Sequence, residues 1–490
     1  MLTEYQISNF KAFSGPATIP IKPITLIFGP NSSGKSSIFQ SLLMQRQSIL
    51  YYKGFDSYKE IIHGHNTDNN FSFKVTLNRS EALESLTPFD SVYEDLRDDN
   101  KSERFDALFS TGNFNSIGLK IIFSYDGKSN ANVQTIQLFM GNDLHPLFTY
   151  HQDKSLEDRD NSWDGFYLKN INFTHDFWKD CLIDSGEVPL EINEGTTNVF
   201  NIIEKSKKTQ QKEMAIAFLS EILGVNHDFI FLRGYLPMDY RGMFIKEIQN
   251  HFIYEDDYFG HDTDPGNFSM YTVAAAFAFK TYLERIVHIG PIRDRYPDME
   301  YDQETMKRIN MQLELFDIGY SLKQVRFTSH ADDIQDEFRT YLYDKKNNVH
   351  VSLKDVGVGV SQVLPVILQS TGSRNKTLLI EQPELHLHPA LQTELGDVFI
   401  NAAMGKQKNT FLIETHSEHL ILRILRRIRE TAAGELPEGM PAITPDDVAV
   451  LYIKPGKDGS EVIHIPVNED GEFDKPWPDG FFSERARELF

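Results

Sequence analysis

The sequence predicts an α/β fold in which a mixed or parallel sheet flanked by helices carries an antiparallel β subdomain and a mixed α+β insertion. Three observations carry that expectation. An apolar run, Ile24-Thr25-Leu26-Ile27-Phe28, feeds a Gly/Ser-rich loop and then a helix-like stretch from Ser37 to Leu50. After Tyr271, short apolar runs alternate with helix-like segments, as strands joined by crossover helices do. Between these regions, Ile117 to Tyr125 and Val133 to Met140 read as strands joined by the turn Gly127-Lys128-Ser129-Asn130, the pattern of an antiparallel pair.

Residues 1 to 28 alternate strand-like runs with turns and end at the strand that feeds the loop. From about residue 80 to 270 the character changes. Acidic loop sequence (Glu94-Asp95-Leu96-Arg97-Asp98-Asp99-Asn100) precedes the strand pair, and a lysine-rich stretch from Glu204 to Lys212, expected as a solvated loop, leads into an amphipathic helix expected over Met214 to Leu223. No sustained heptads occur there, so no long coiled-coil arm is expected. A helix is then expected over Thr272 to Ile286, passing through Val287-His288-Ile289 to the turn Gly290-Pro291-Ile292-Arg293. The segment Lys354 to Ser370 follows, then a strand at Thr377 to Ile380, a helix from Pro389, a strand at Thr410 to Ile413 and a helix from Glu418. A hairpin, Val448 to Ile453 with Glu461 to Ile465, turns at Gly456-Lys457-Asp458-Gly459, and an aromatic tail, Trp477 to Phe482, follows it. The expected organisation is 1–80 and 271–440 as the two parts of one α/β unit, 81–270 as the β subdomain and insertion, and 441–490 as hairpin and tail.

A chain of 490 residues with 40% hydrophobic and 12% aromatic residues exceeds what one simple core requires, so more than one packed unit is expected. A net charge of -22 argues against coating nucleic acid through the overall field and leaves only a local basic groove for such contact. One cysteine, Cys181, excludes an internal disulfide and a cysteine-based zinc site and suits a reducing cytoplasm. The longest apolar stretch, Val273 to Phe279, is broken by Lys280, so no membrane span is expected. The start of the chain carries no basic-then-apolar pattern, so export is not expected and the cytoplasm is.

The loop reads Gly29-Pro30-Asn31-Ser32-Ser33-Gly34-Lys35-Ser36, with Ser37 next to it at the helix start. Its glycines let successive backbone N–H groups face a β-phosphate, Lys35 reaches the β and γ oxygens, and the Ser36 hydroxyl can ligate magnesium. ATP and Mg2+ are the expected ligands. The apolar strand Leu378-Leu379-Ile380 ends in Glu381, the position from which a neighbouring strand delivers an oxygen ligand to that metal. The next strand runs into Glu414-Thr415-His416-Ser417, placing His416 where it could touch a γ-phosphate. Upstream, Asp355 to Gln362 puts Gly357, Gly359 and Ser361 at a helix start suited to gripping phosphate oxygens through backbone N–H groups.

In this order, phosphate loop, Gly/Ser signature, acidic strand and histidine, the chain resembles ABC-type ATPase heads of the RecF, SMC and OLD kind. Further likeness lies in Asn9-Phe10-Lys11-Ala12-Phe13, in Glu381-Gln382-Pro383-Glu384 with Leu387-His388-Pro389, and in Thr415-His416-Ser417. Asp355 to Gln362, His288 to Arg293 and Trp477 to Phe482 are similar to stand-alone bacterial AAA-type ATPases of unknown function. The resemblance covers both ends of the chain and hardly touches residues 80 to 270. It implies that ATP is sandwiched between the phosphate loop of one copy and Gly357, Gly359 and Ser361 of another, so that ATP drives self-association. It also implies a separately encoded effector, a nuclease, in bacterial antiphage defence, with a RecF-like DNA-repair ATPase as the alternative and a self-sufficient enzyme centred in residues 80 to 270 as a third. Too little chain follows the last helix for the TOPRIM nuclease module of OLD proteins, so no nuclease activity of the chain itself is expected. One position departs from the family pattern. Gln382 stands where the catalytic glutamate is usual; an amide can position water but cannot take its proton, so slow hydrolysis is expected, with Glu384 as a substitute base.

Other groups keep two readings each. His63 with His65, and His386 with His388, could each be a metal-ligand pair but show no companion carboxylate or cysteine pattern, and His386 with His388 otherwise shape the turn after the acidic strand. Arg423, Arg426 and Arg427 share a helix face that is either acid-paired or a nucleic-acid contact. Arg293 and Arg295 either salt-bridge within the α/β unit or approach phosphate.

Overall fold

The computed structural model describes residues 2–51, 57–80, 114–128, 131–141, 144–152, 166–172, 278–293, 301–316, 318–327, 337–352 and 355–480. The expected acidic loop at 94–100, the helix over 214–223, Cys181, Arg295, the first part of the helix expected from Thr272, and Phe481 and Phe482 all lie outside them. The chain divides into two compact units, Met1–Thr18 with Ser41–Glu284, and Ile19–Gln40 with Arg285–Phe490.

In the first unit, β1 (Leu2–Ser8), β2 (Ala17–Pro20), β4 (Phe71–Asn78), β5 (Ser116–Tyr125), β6 (Ala131–Met140), β7 (Phe148–Gln152) and β8 (Phe166–Ile171) form a sheet in the order β2-β1-β4-β5-β6-β7-β8. The pairs from β1 to β8 are antiparallel, β1 meeting β4 with Tyr5 opposite Val75 and β4 meeting β5 with Val75 opposite Leu119. Alternation explains the face that is buried. Phe71, Phe73, Val75 and Leu77 point inward, and Lys74 and Thr76 lie between them. Phe71 stacks on Phe123 at 4.8 Å between ring centroids, and Phe73 meets Phe10 edge-on at 5.4 Å. The buried Tyr5 hydroxyl donates to Ser41 Oγ at 2.8 Å and accepts from Gln45 Nε2 at 2.7 Å, which explains how a tyrosine is accommodated in this core.

The second unit is built on a six-stranded sheet of order β16-β15-β3-β14-β13-β9, with β3 (Ile24–Phe28), β9 (Ile286–Ile289), β13 (Thr377–Glu381), β14 (Thr410–Glu414), β15 (Val448–Lys454) and β16 (Glu461–His464). All but β16 run parallel. A parallel sheet needs cover on both faces, which explains why β3 is buried at every position and apolar at all but Thr25, whose hydroxyl donates to the Pro20 carbonyl. The helices of this unit are α3 (Val358–Gly372), α4 (Pro389–Met404) and α5 (Glu418–Ala433), with α1 (Lys35–Tyr51) starting after the loop that follows β3, and α2 (Gln303–Leu315) beside a three-stranded antiparallel sheet, β10 (Tyr320–Phe327), β11 (Glu337–Asp344) and β12 (Val349–Val351). The α/β expectation and the strands and helices after residue 377 are found within one residue of their expected bounds. The helix expected to reach Ile286 stops at 284, and Ile286 instead opens β9, where it pairs with Thr377. The terminal hairpin is present, and its first strand also joins the sheet as the parallel neighbour of β3.

Register fixes what meets at the carboxyl ends of these strands. Glu381 lies opposite Glu414, and Glu414 opposite Ile27, one residue before Phe28 and the loop. In open parallel sheets, ligands bind beyond the carboxyl ends where neighbouring connections diverge, and here β3 lies between β14 and β15.

Candidate functional site

The loop between β3 and α1 takes its shape from backbone geometry that side chains resist. Gly29 has φ 147° and Gly34 φ 100°, and a Cβ on residue 29 would lie 2.5 Å from the carbonyl oxygen of Ile453. Ser33 N–H donates to the Pro30 carbonyl (3.3 Å) and Ser37 N–H to the Gly34 carbonyl (3.0 Å), closing the loop onto the start of α1. The buried Lys35 ammonium donates to the carbonyls of Gly29 (3.0 Å) and Pro30 (2.9 Å). Burial lowers its pKa, and the nearby Glu414 carboxylate opposes that shift. Ser33 Oγ is buried with no hydrogen-bond partner among the described residues. Asn31 and Ser32 are exposed at the tip.

Facing the loop is a group of acids. Glu414, 5% exposed at the end of β14, accepts the Ser36 hydroxyl at 2.8 Å and lies 3.8 Å from Lys35 Nζ. Burial raises its carboxyl pKa, against the pull of Ser36 and Lys35. Glu381, at the end of β13, accepts at Oε1 from His288 Nε2 of β9 at 2.7 Å. Gln382 follows with φ 45°, a left-handed conformation that costs a non-glycine residue about 1–2 kcal/mol. Its N–H donates to the Glu414 carbonyl at 2.7 Å, tying the ends of β13 and β14 together. Glu384 accepts His416 N–H at 2.7 Å and the Thr415 hydroxyl at 2.8 Å. Its pKa is raised by burial, with those donors acting against the rise. Both oxygens thus hold the loop that carries His416. The His416 imidazole titrates below its ordinary value, first from burial and then from the Lys35 charge, which places it in the field of the same ammonium.

Arg293 resolves one of the open pairs of readings in an unforeseen way. It is 4% exposed and salt-bridges no acid among the described residues; instead Nη1 donates to the Gln362 carbonyl (3.0 Å) and Nη2 to the carbonyls of Glu381 (2.6 Å) and Gln382 (3.0 Å). It therefore joins α3 to the end of β13. Burial pulls its pKa down to about 10, with Glu384 and Glu381 opposing.

The structure brings together the phosphate loop, Glu381, Gln382, Glu384 and His416. Gly357 and Ser361 lie at the start of α3, where their bonds stay within the helix: Ser361 N–H donates to the Gly357 carbonyl (3.0 Å) and its hydroxyl to the Val358 carbonyl (2.9 Å). Gly357 is exposed there, Val358 is 60% exposed, and a Cβ on Gly359 would lie 3.2 Å from the His386 carbonyl. Glu414, Arg293 in its clasping role and His288 are members that sequence reasoning missed. Glu414 had a signal, since the rule that selected Glu381, an acid ending an apolar strand, selects it equally.

Three of the four paired histidines bond backbone groups. His63 Nδ1 contacts the Lys11 carbonyl at 2.7 Å, His65 Nδ1 the Lys59 carbonyl at 2.5 Å, and His388 Nδ1 accepts from Ala390 N–H at the start of α4. On α5, Arg423 is bonded to Asp397 and to Glu394 (2.9 Å), and Arg427 to Asp397 (2.7 Å) and Glu430 (2.5 Å), so the acid-paired reading describes both. Arg426 also meets Glu430 but is 57% exposed. No helix among the described residues is long and apolar enough to cross a membrane.

The family model described as AAA ATPase domain matches residues 1–421, and one described as Protein of unknown function (DUF3696) matches residues 443–490. UvrABC system protein A of Mycoplasma genitalium is 34% identical over 96 residues, 19% of this chain and 10% of that protein, so the chain spans about a tenth of that relative. Among solved structures, an SMC head bound to the C-winged helix domain of ScpA is 10% identical, covering 95% of this chain and 98% of that one with a TM-score of 0.39. The SMC head domain from Thermotoga maritima is 9% identical over 95% and 99% with a TM-score of 0.35. An Smc head with an extended coiled coil, bound to the C-terminal domain of ScpA derived from Pyrococcus furiosus, is 10% identical over 100% and 98% with a TM-score of 0.39.

Proposed function

This chain belongs to the AAA ATPase domain family, and on that premise we propose that it is an ATP-driven association switch that controls a separate effector and hydrolyses ATP slowly. The observation that carries the proposal is the convergence of Lys35, Ser36, Glu414, Glu381 and His416 at the carboxyl ends of adjacent strands. The Gly29 and Gly34 backbone, the unpartnered Ser33 Oγ and the Lys35 ammonium suit a polyphosphate. The Ser36 hydroxyl and the carboxylates of Glu381 and Glu414 are hard oxygen donors of the kind magnesium takes, and Mg2+ bound there with ATP would offset phosphate charge. Lys35 exchanges the carbonyls of Gly29 and Pro30 for phosphate oxygens, which are stronger acceptors. His416 is held neutral by its surroundings and offers a ring N–H to a γ-phosphate. Glu384 acts as a positioning residue for the His416 loop rather than as a base, because both its oxygens are already engaged.

Gln382 orients water without accepting its proton, which keeps basal turnover slow. A second copy presents Gly357, Gly359 and Ser361 from the exposed start of its α3, so ATP binds the associated state better and shifts the population toward it. The effector is a nuclease and the setting antiphage defence, both drawn from the resemblance described above. A DNA-repair role stands second, because the arginines it would use on α5 are held by Asp397, Glu394 and Glu430. The test is ATP binding and turnover by the purified chain. Lys35→Ala should abolish binding, and Gln382→Ala should slow turnover; a Gln382→Ala variant as fast as the parent would remove that residue from the mechanism.

A further inference from the structure

Within residues 443–490, matched by a family of unknown function, the described part forms one wall of the phosphate loop. Their strand β15 is the parallel neighbour of β3, with Tyr452 opposite Phe28. The Ile453 carbonyl comes so near Gly29 that no Cβ fits between them. Trp477 meets Phe28, the residue preceding the loop, edge-on at 5.1 Å, and packs in the same way on Phe473. Beyond the β15–β16 turn, the Ser460 hydroxyl donates to the backbone carbonyl of Ser33 at 2.6 Å.

We propose that Ser460 is a positioning residue for nucleotide binding, anchoring the Ser33–Gly34 peptide so that the Gly34 N–H is aimed into the phosphate loop. The argument is one of peptide geometry. In a trans peptide the carbonyl and the following N–H point in opposite directions, so a bond that fixes the Ser33 carbonyl outward also fixes the Gly34 N–H inward. Gly34, at φ 100°, has no side chain to restrict that peptide, and the Ser460 hydroxyl holds its carbonyl end from outside the loop. The Ser33 hydroxyl adds nothing to this hold, because it makes no hydrogen bond among the described residues. The C-terminal segment thereby takes part in reading the nucleotide. This deepens the ATP-site reading and rests on it.

The experiment compares full-length parent, Ser460→Ala, Ser460→Thr and Lys35→Ala by titration with a fluorescent ATP analogue in magnesium, and by amide hydrogen exchange of the nucleotide-free proteins. Ser460→Ala should bind about fivefold more weakly, the factor matching one hydrogen bond of about 1 kcal/mol. Exchange should quicken in peptides covering 29–37 as well as in the turn at 455–460. Ser460→Thr, which keeps the hydroxyl, should restore both. Equal affinity and unchanged exchange at 29–37 in Ser460→Ala would overturn the proposal; faster exchange confined to 455–460 would do the same, since that is what a merely structural role gives. A parent that binds no nucleotide would overturn the ATP-site reading instead, and loop exchange would still decide the anchor. If Ser460→Ala does not fold, Ser460→Cys, similar in size but a weak donor, carries the same comparison.

Discussion

Replacing Arg293 by alanine tests whether the end of β13 and the start of α3 act as one piece. The guanidinium makes three bonds to backbone carbonyls, those of Gln362, Glu381 and Gln382. Bonds from a charged donor are worth about 1.5–3 kcal/mol each, but adding them overshoots, because they share one group that itself pays a desolvation cost. The firmer figure comes from what remains. Three carbonyls lose a donor, that of Gln382 keeping the Leu385 N–H (3.2 Å), and a buried group left unsatisfied costs about 1–3 kcal/mol, so a loss of about 3 kcal/mol is expected, or roughly 10 °C in melting temperature for a unit of about 200 residues. Arg293→Lys keeps the charge but not the planar fork, and should lose about half as much. Denaturant unfolding measures both, and ATP turnover should fall with them because the Gln382 peptide loses its anchor. An Arg293→Ala protein within about 0.5 kcal/mol of the parent and equally active would refute the reasoning.

The pH dependence of Glu414 is a second test. Its folded carboxyl pKa lies above the ordinary 4.5, so the native state binds the proton more readily than the unfolded chain, and this group's contribution to stability falls as pH rises from about 4.5 through the folded pKa. The melting temperature of Glu414→Gln relative to the parent should therefore climb across that window; a difference that stays flat or falls would contradict the assignment. Asp397→Asn should destabilise by about 2–4 kcal/mol in thermal unfolding, less than the full cost of a broken buried pair, because Arg423 keeps Glu394 and Arg427 keeps Glu430. It should leave nucleotide affinity unchanged.

Much of the site could be read from local pattern, because the residues that make a phosphate loop are contiguous and glycine and lysine have few other reasons to stand at that spacing. The strands at 377 and 410 were equally legible, since a parallel sheet buried on both faces writes itself as short unbroken apolar runs. What could not be read was set by register and by contacts distant in sequence. Glu414 touches Ser36 because β14, not β13, is the direct neighbour of β3, a fact of strand order that no local spacing encodes. Arg293 looked like a candidate for phosphate or for an acid, yet its two Nη groups bond three carbonyls from two other elements, partners that have no sequence signature. The hairpin at 448–465 was visible as a hairpin, but its parallel pairing with β3 was not, because a strand's second edge leaves no mark in its own sequence.

The composite pocket is most directly tested by the mass of the purified chain in solution, measured by light scattering with and without magnesium and ATP. The account predicts particles of 56.4 kDa without nucleotide and at least twice that mass with it, with Ser361→Arg still binding ATP but remaining at the single-chain mass. A chain that binds ATP at full occupancy and keeps one mass throughout would contradict it.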